Sequence, residues 1–254
     1  MNLLITGGSR GIGAATARLA AREGYTVAIN YRAARDQAEA LVAEIEREGG
    51  KAIAVQADVA SGEQVEAMFR KVDELGPLDA LVNSAGISMT ANAADFEESA
   101  LQRLLGINVL GTLLCCREAV RRMSTRLGGK GGAIVNVSSM AAEIGGRPGR
   151  TAYAASKGAV DSFTIGLAKE VGREGIRVNA LRPGMTMTDM TDAVRSNPQL
   201  YAETADTIAM NRCAQPEEMA RPILWLLSEE ASFISGALLD GSGGGFMVGQ
   251  TRSG

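Results

Sequence analysis

Residues 2–31 read NLLITGGSRGIGAATARLAAREGYTVAINY, and their pattern sets the class of the whole chain. The aliphatic run Asn2–Thr6 predicts a strand, and a glycine-rich turn follows it at once. Gly11–Arg22 predicts a helix and Thr26–Tyr31 a second strand. Strand, turn, helix and strand within thirty residues make one βαβ unit, with parallel strands and a right-handed crossover. Both strands are near-continuously apolar rather than alternating, which is the signature of strands covered on both faces.

The same alternation continues to the end of the chain. Further strands are predicted at Ala52–Gln56, Ala80–Asn83, Ala133–Ser138, Arg177–Leu181 and Ala237–Asp240. Helices are predicted at Arg35–Glu48, Gly62–Leu75, Ser99–Met123, Thr151–Glu174 and Glu217–Leu227. The expectation is an α/β fold: a single-domain, Rossmann-type, doubly wound parallel sheet of about seven strands with helices on both faces, spanning residues 1–254. Many of the 31 glycines fall at predicted turns, and none of the glycine clusters reads as an interdomain linker. One stretch breaks the pattern. Residues 185–214, MTMTDMTDAVRSNPQLYAETADTIAMNRCA, show no strand period and several methionines. A segment of this length before a helix reads as a lid or binding loop, and methionine suits an adaptable apolar pocket.

Composition narrows the chemistry. The 254 residues are 46% hydrophobic and 22% charged with a net charge of −3, so no basic field points to nucleic acid or an anionic membrane. The first residues lack a basic segment followed by a long apolar run, and no uninterrupted apolar stretch approaches the roughly 18 residues of a membrane span. A cytoplasmic protein with no membrane partner is expected. Cys115, Cys116 and Cys213 form no ligand motif and read as reduced core residues. The chain has no histidine at all. That excludes a Ser-His-Asp hydrolase, a Cys-His pair and His-ligated zinc, so acid–base work falls to Tyr, Lys, Asp, Glu or Cys.

The turn after the first strand, Thr6–Gly13 (TGGSRGIG), suits a pyrophosphate. Gly7 permits the turn, Gly11 and Gly13 permit close approach, and Ser9, Arg10 and Ile12 complete a loop at a helix N-terminus whose free N–H groups attract anions. In a dinucleotide site an acid about 20 residues on would hold the ribose hydroxyls of NAD. Here Tyr31 and Arg32 end the second strand, no acid occurs in Asn30–Arg35, and Arg10 lies in the glycine loop. Two guanidiniums suit a 2′-phosphate, which favours NADP(H) over NAD(H). Asp58 and Val59 after the third strand, and Asn83, Ala85 and Gly86 after the fourth, fall where such a sheet binds its ligand.

The remaining features carry chemistry. The fifth strand ends at Ser138 and Ser139, and Tyr153 and Lys157 follow one helical turn apart. Asn108 sits among apolar helix residues, where burial demands polar partners. Together these motifs resemble the short-chain dehydrogenase/reductase family, in its 3-oxoacyl-reductase-like and glucose-dehydrogenase-like branch. The resemblance runs from TGGSRGIG through DV, NSAG, Asn108, Ser139, YAASK and RPGMTMT to LLDGSGG. It implies a catalytic set of Asn108, Ser139, Tyr153 and Lys157, with Pro183, Gly184, Thr186 and Thr188 at the nicotinamide end. It also implies a homotetramer, with a dimer as the smaller alternative. Two departures stand out: the loop before Tyr153 carries one extra residue, leaving Ser138 as an alternative to Ser139, and NSAG has serine where asparagine is common.

The expected function is NADP(H)-dependent interconversion of a small-molecule carbonyl compound and its secondary alcohol, with no metal. Two other readings remain open on sequence alone. One is a 3-oxoacyl-thioester reductase of fatty-acid synthesis, and the other a non-catalytic NADP(H)-binding sensor or scaffold.

Overall fold

The computed structural model describes residues 1–245. In chain order the strands are β1 (Asn2–Thr6), β2 (Thr26–Tyr31), β3 (Lys51–Gln56), β4 (Ala80–Asn83), β5 (Gly132–Val137), β6 (Ile176–Pro183) and β7 (Leu238–Gly241). The helices are α1 (Gly11–Arg22), α2 (Arg35–Arg47), α3 (Gly62–Asp73), α4 (Glu98–Leu105), α5 (Thr112–Met123), α6 (Ala141–Ile144), α7 (Thr151–Val171), α8 (Asp192–Arg195), α9 (Pro198–Asp206) and α10 (Pro216–Leu227). All seven strands pair in parallel in the order β3-β2-β1-β4-β5-β6-β7. The order reverses between β1 and β4, so a crevice opens at the carboxyl ends of those two strands.

Alternation along each strand divides the core into two layers. Leu3 and Ile5 of β1 join α1, α2 and α10 through Ala17, Leu41 and Ile223, all buried. Leu4, one residue out of phase, joins the opposite layer with Phe69 of α3, Cys116 of α5 and Val171 of α7. Successive residues of a strand point to opposite faces, so a strand covered on both sides is apolar throughout. The three cysteines are free and buried as expected. Burial pushes the Cys116 thiol up to about 12.

The long helix expected at Ser99–Met123 is interrupted. Gly106–Gly111 forms a π-helical turn between α4 and α5, which turns Asn108 inward to complete burial. A Cβ on Gly111 would lie 2.7 Å from the Val59 side chain, so the widened turn packs directly on the β3–α3 loop. The whole run Glu98–Met123 is long and apolar enough by length and composition to cross a membrane. Its apolar face instead packs in the core through Leu104, Cys115, Cys116, Ala119 and Met123, all fully buried.

Residues 185–214 contain more structure than expected. Thr188 and Thr191 cap one another, and Asn197 caps α9 by accepting from Gln199 and Leu200 N–H. The two ends of the segment are joined: Met187 N–H donates to Ala214 O and Ala214 N–H to Met185 O, each at 2.9 Å. The segment therefore leaves the sheet after β6 and returns to its starting point.

A buried polar column braces the sheet below the crevice. Asn83 Nδ2 donates to Asn136 Oδ1 at 2.9 Å, and Asn136 Nδ2 donates to Thr164 Oγ1 of α7 at the same distance. Stranding such groups costs about 1–3 kcal/mol. Asn136→Ala is therefore expected to lower the unfolding free energy in urea by about that amount; no change in the midpoint would show that the column contributes nothing.

Candidate active site

A cleft of about 770 Å³ opens at the carboxyl edge of the sheet. One end is made by the turn after β1. Gly7, at φ +62°, lies against the segment after β4 so closely that a Cβ would sit 2.7 Å from the Ala85 Cα. Gly11, at φ +55°, faces the Thr188 side chain, where a Cβ would come within 3.3 Å. No side chain caps α1 and its first turn holds no acid, so its N–H groups are open to an anion. These features fit the diphosphate of a dinucleotide, which requires close backbone approach and a positive helix end.

Of the loop residues expected to bind a cofactor, Gly7, Ser9, Arg10, Gly11 and Ile12 line this cleft. Gly13 does not. A Cβ there would lie 2.5 Å from Gly7 O, so this glycine closes the turn from behind. Tyr31, Arg32, Asp58, Val59, Ala85 and Gly86 also line the cleft. Asn83 is another exception: its side chain enters the polar column, away from the opening. Asn30 went unread as a site residue although it holds the loop, accepting from Gly7 N–H at 3.2 Å while donating to Ala57 O at 3.1 Å. An asparagine inside an apolar strand was the signal available.

Charges at this end are cationic. Arg10 and Arg32 both line the cleft, and neither β2 nor the following turn supplies an acid there. Arg10 lies 3.8 Å from Asp189 in an exposed pair. Asp58 accepts from Arg103 at 2.8 Å and from Ala60 N–H at 3.0 Å. Burial opposes its ionisation, but Arg103, the Ala60 N–H and the more distant Arg32 outweigh that and hold its carboxyl below the usual range.

At the other end stand Ser138, Ser139, Tyr153 and Lys157, and Pro183, Gly184, Thr186 and Thr188 line the cleft as well. The two serines differ in orientation. Ser138 is buried and its hydroxyl donates to Lys157 O at 3.3 Å, fastening β5 to α7. Ser139 accepts from Ala141 N–H at 3.1 Å, and its hydroxyl acts on the Tyr153 phenol. Burial raises the Tyr153 phenol above its ordinary range, while the Ser139 hydroxyl and the Arg150 charge oppose that rise. Lys157 is 6% exposed and donates to Val137 O at 2.8 Å. Burial brings its ammonium down to about 8, with the Asp161 carboxylate resisting. Its Nζ lies 5.9 Å from the Tyr153 ring centroid.

Asn108 stands behind the cleft wall. Its Oδ1 accepts from Ile87 N–H at 2.9 Å, and its Nδ2 donates to Ile87 O and to Ser156 Oγ, each at 3.0 Å. Ser156 in turn donates to Tyr153 O at 2.7 Å. Asn108 is thereby tied to the backbone of the tyrosine and to the segment after β4. A Cβ on Gly86 would lie 3.5 Å from Asn108 Oδ1 and 3.6 Å from Lys157 Nζ, so this glycine leaves the two side chains room beside the cleft. The cleft also includes Ile87, Ser88, Asp189, Met190 and Thr191, none of which carried a readable motif.

The chain is similar to known proteins over nearly its whole length. Residues 7–245 match the family model described as enoyl-(acyl carrier protein) reductase. The chain is 48% identical over 243 residues to the uncharacterized oxidoreductase YgfF of Escherichia coli (strain K12), covering 95% of this chain and 98% of that protein. It is 37% identical over 245 residues to the 3-oxoacyl-[acyl-carrier-protein] reductase FabG of Staphylococcus aureus, covering 96% and 97% of the two chains. A solved short chain dehydrogenase of Burkholderia cenocepacia J2315, in complex with NADP, superposes with a TM-score of 0.85 at 36% identity over 95% of this chain and 96% of that one. The parallel seven-stranded sheet, the glycine turn and the full-length likeness to these oxidoreductases make the chain an enzyme of the short-chain dehydrogenase/reductase family, in its 3-oxoacyl-reductase-like branch.

Proposed function

We propose that this enzyme reduces a carbonyl compound to its secondary alcohol, or runs the reverse, with NADP(H) as cofactor and Tyr153 as the acid/base. The observation that carries the proposal is that Ser139, Tyr153 and the buried Lys157 line one cleft, with Lys157 Nζ 5.9 Å from the Tyr153 ring centroid. The nicotinamide, when bound, supplies or accepts the hydride at carbon. In reduction Tyr153 gives its proton to the carbonyl oxygen, and Ser139 hydrogen-bonds that oxygen as negative charge develops. A free phenol titrates near 10 and ionises little at neutral pH. Burial raises it further, and the Ser139 hydroxyl and the Arg150 charge oppose that rise by favouring the phenolate. Lys157 holds the nicotinamide ribose, and Asn108 holds Ile87 and Ser156 in place beside a water that resupplies the proton.

Arg10 and Arg32 recognise the 2′-phosphate, and the NADP complex of the Burkholderia cenocepacia relative supports that choice. The segment 185–214 acts as the substrate lid over this domain, with Thr186 and Thr188 at the nicotinamide end. A homotetramer in the cytoplasm is the proposed state, and the exposed Leu105, Leu110, Trp225 and Phe233 offer apolar surface for it. The likeness to FabG favours a second reading equally well, a 3-oxoacyl-thioester substrate for the same chemistry.

Tyr153→Phe is expected to lower kcat by about 100-fold or more, with the NADPH dissociation constant moving less than about threefold. Unchanged turnover would remove Tyr153 from the mechanism. Arg32→Ala is expected to reduce the ratio of kcat/KM for NADPH over NADH by about tenfold or more, since a charge-assisted contact to phosphate is lost. A preference for NADH in the native enzyme would refute the assignment of both arginines.

The depressed Lys157 also predicts a pH dependence of stability. Its folded value of about 8 lies below the usual 10.5, so between those values the unfolded chain binds the extra proton and stability rises with pH. In the cofactor-free protein, Lys157→Met is expected to raise the unfolding free energy at pH 7 by on the order of 1–2 kcal/mol. That advantage is expected to vanish as pH climbs from 8 towards 10.5, as followed by urea denaturation.

A further inference from the structure

The loop that carries the extra residue before Tyr153 ends in an arginine, and its surroundings give that arginine a task. Gly145, Gly146 and Gly149 take φ of +75°, +79° and +79°, so the chain doubles back between α6 and α7. The loop is fixed on both sides. Ala91 N–H donates to Gly149 O at 3.0 Å, which pins it to the segment after β4. Arg150 N–H donates to Arg147 O at 2.9 Å, and Arg150 O accepts from Ala154 N–H at 2.9 Å, which places Arg150 at the entrance of α7. Arg147 donates to Thr207 Oγ1 at 3.2 Å, joining the same loop to the end of α9.

The Arg150 guanidinium lies three residues before Tyr153 and donates to the hydroxyl of Ser88, a residue of the cleft wall. It is half-buried, and among the described residues no carboxylate pairs with it. The acids of α6 and of the cleft wall have other partners: Glu143 accepts from Arg182 at 3.0 Å, Asp58 from Arg103 at 2.8 Å, and Asp189 lies 3.8 Å from Arg10 and 3.9 Å from Arg195. A guanidinium has five N–H donors, and one neutral hydroxyl satisfies few of them. A partly desolvated cation without a counter-charge is unfavourable by itself, and its rigid fork matches a carboxylate. The bond to Ser88 sets the positive charge behind the cleft wall, three residues from Tyr153, and its field reaches that phenol.

We propose that Arg150 binds a carboxylate of the substrate, so that the enzyme acts on short oxo acids in preference to neutral ketones or thioesters. This inference rests on the carbonyl-reductase reading above. Arg150 would orient the substrate by its acid group while Ser139 and Tyr153 engage its carbonyl oxygen. A thioester carries no charge near its carbonyl and would leave the guanidinium unpaired.

The test follows NADPH consumption with three acid and ester pairs: pyruvate, acetoacetate and 4-oxopentanoate, each against its methyl ester. The native enzyme is expected to favour the acid by about tenfold or more in kcat/KM for at least one pair. Arg150→Gln should reduce that acid-to-ester ratio by about tenfold or more, and Arg150→Lys should retain part of it. Taking the ratio cancels any general effect of the substitution on Tyr153 or on folding. Esters reduced as well as acids, or a ratio untouched in Arg150→Gln, would overturn the proposal and leave the reductase reading standing. Calorimetric titration of butyrate, which has no carbonyl to reduce, into NADP⁺-loaded protein separates the two further. Butyrate binding that weakens about tenfold in Arg150→Gln would uphold the anion site even if no oxo acid turned over. Absence of both turnover and butyrate binding would overturn it.

Discussion

An ammonium held 2.8 Å from the last carbonyl of β5 is the contact on which the site depends. Lys157 Nζ reaches Val137 O from α7, and Ser138 returns a bond from β5 to Lys157 O. These two bonds fix the register between strand end and helix. Ser139, two residues past the end of the strand, is thereby brought beside Tyr153, one turn earlier on the helix. Burying the ammonium is unfavourable and brings it down to about 8. The strain on one charge and the proximity of one phenol are thus parts of the same arrangement.

The far end of the cleft follows a different rule, set by backbone approach rather than by charge burial. The turn after β1 packs on the segment after β4 with no room for a side chain at Gly7, and Asn30 secures it from β2. That closeness is what a topological switch point provides, because β1 and β4 pair to their last residues while the strand order reverses between them. Cations collect where a phosphate would sit and again at Arg150, but the acids between them are paired off.

Much of this was legible in the chain itself. β1, β2 and β4 fall where their apolar runs predict, because strands buried on both faces cannot hide their composition. The glycine turn and the Tyr153–Lys157 spacing were equally open to reading, since both depend on local geometry. The π-helical turn was not. Gly106–Gly111 keeps an apolar pattern compatible with an ordinary helix, and only the packing of Gly111 on Val59 and the partners of Asn108 reveal the widening. α9 had a readable start in Asn197–Pro198, masked by the irregular residues around it. Asn83 and Gly13 were expected in the cleft and lie behind it, because motif position does not say which way a side chain turns. Ser88 and Arg150 are 62 residues apart and meet only through the loop that binds Gly149 to Ala91.

The central claim is that Tyr153 completes a hydride transfer to a carbonyl carbon. The most direct measurement supplies NADPH deuterated at nicotinamide C4 and locates the label in the product of a reducible carbonyl by mass spectrometry and NMR. The account predicts deuterium on the carbinol carbon with the native enzyme, and almost none with Tyr153→Phe although that variant still binds NADPH. Label lost to solvent, or transferred as fast by Tyr153→Phe as by the native enzyme, would contradict it.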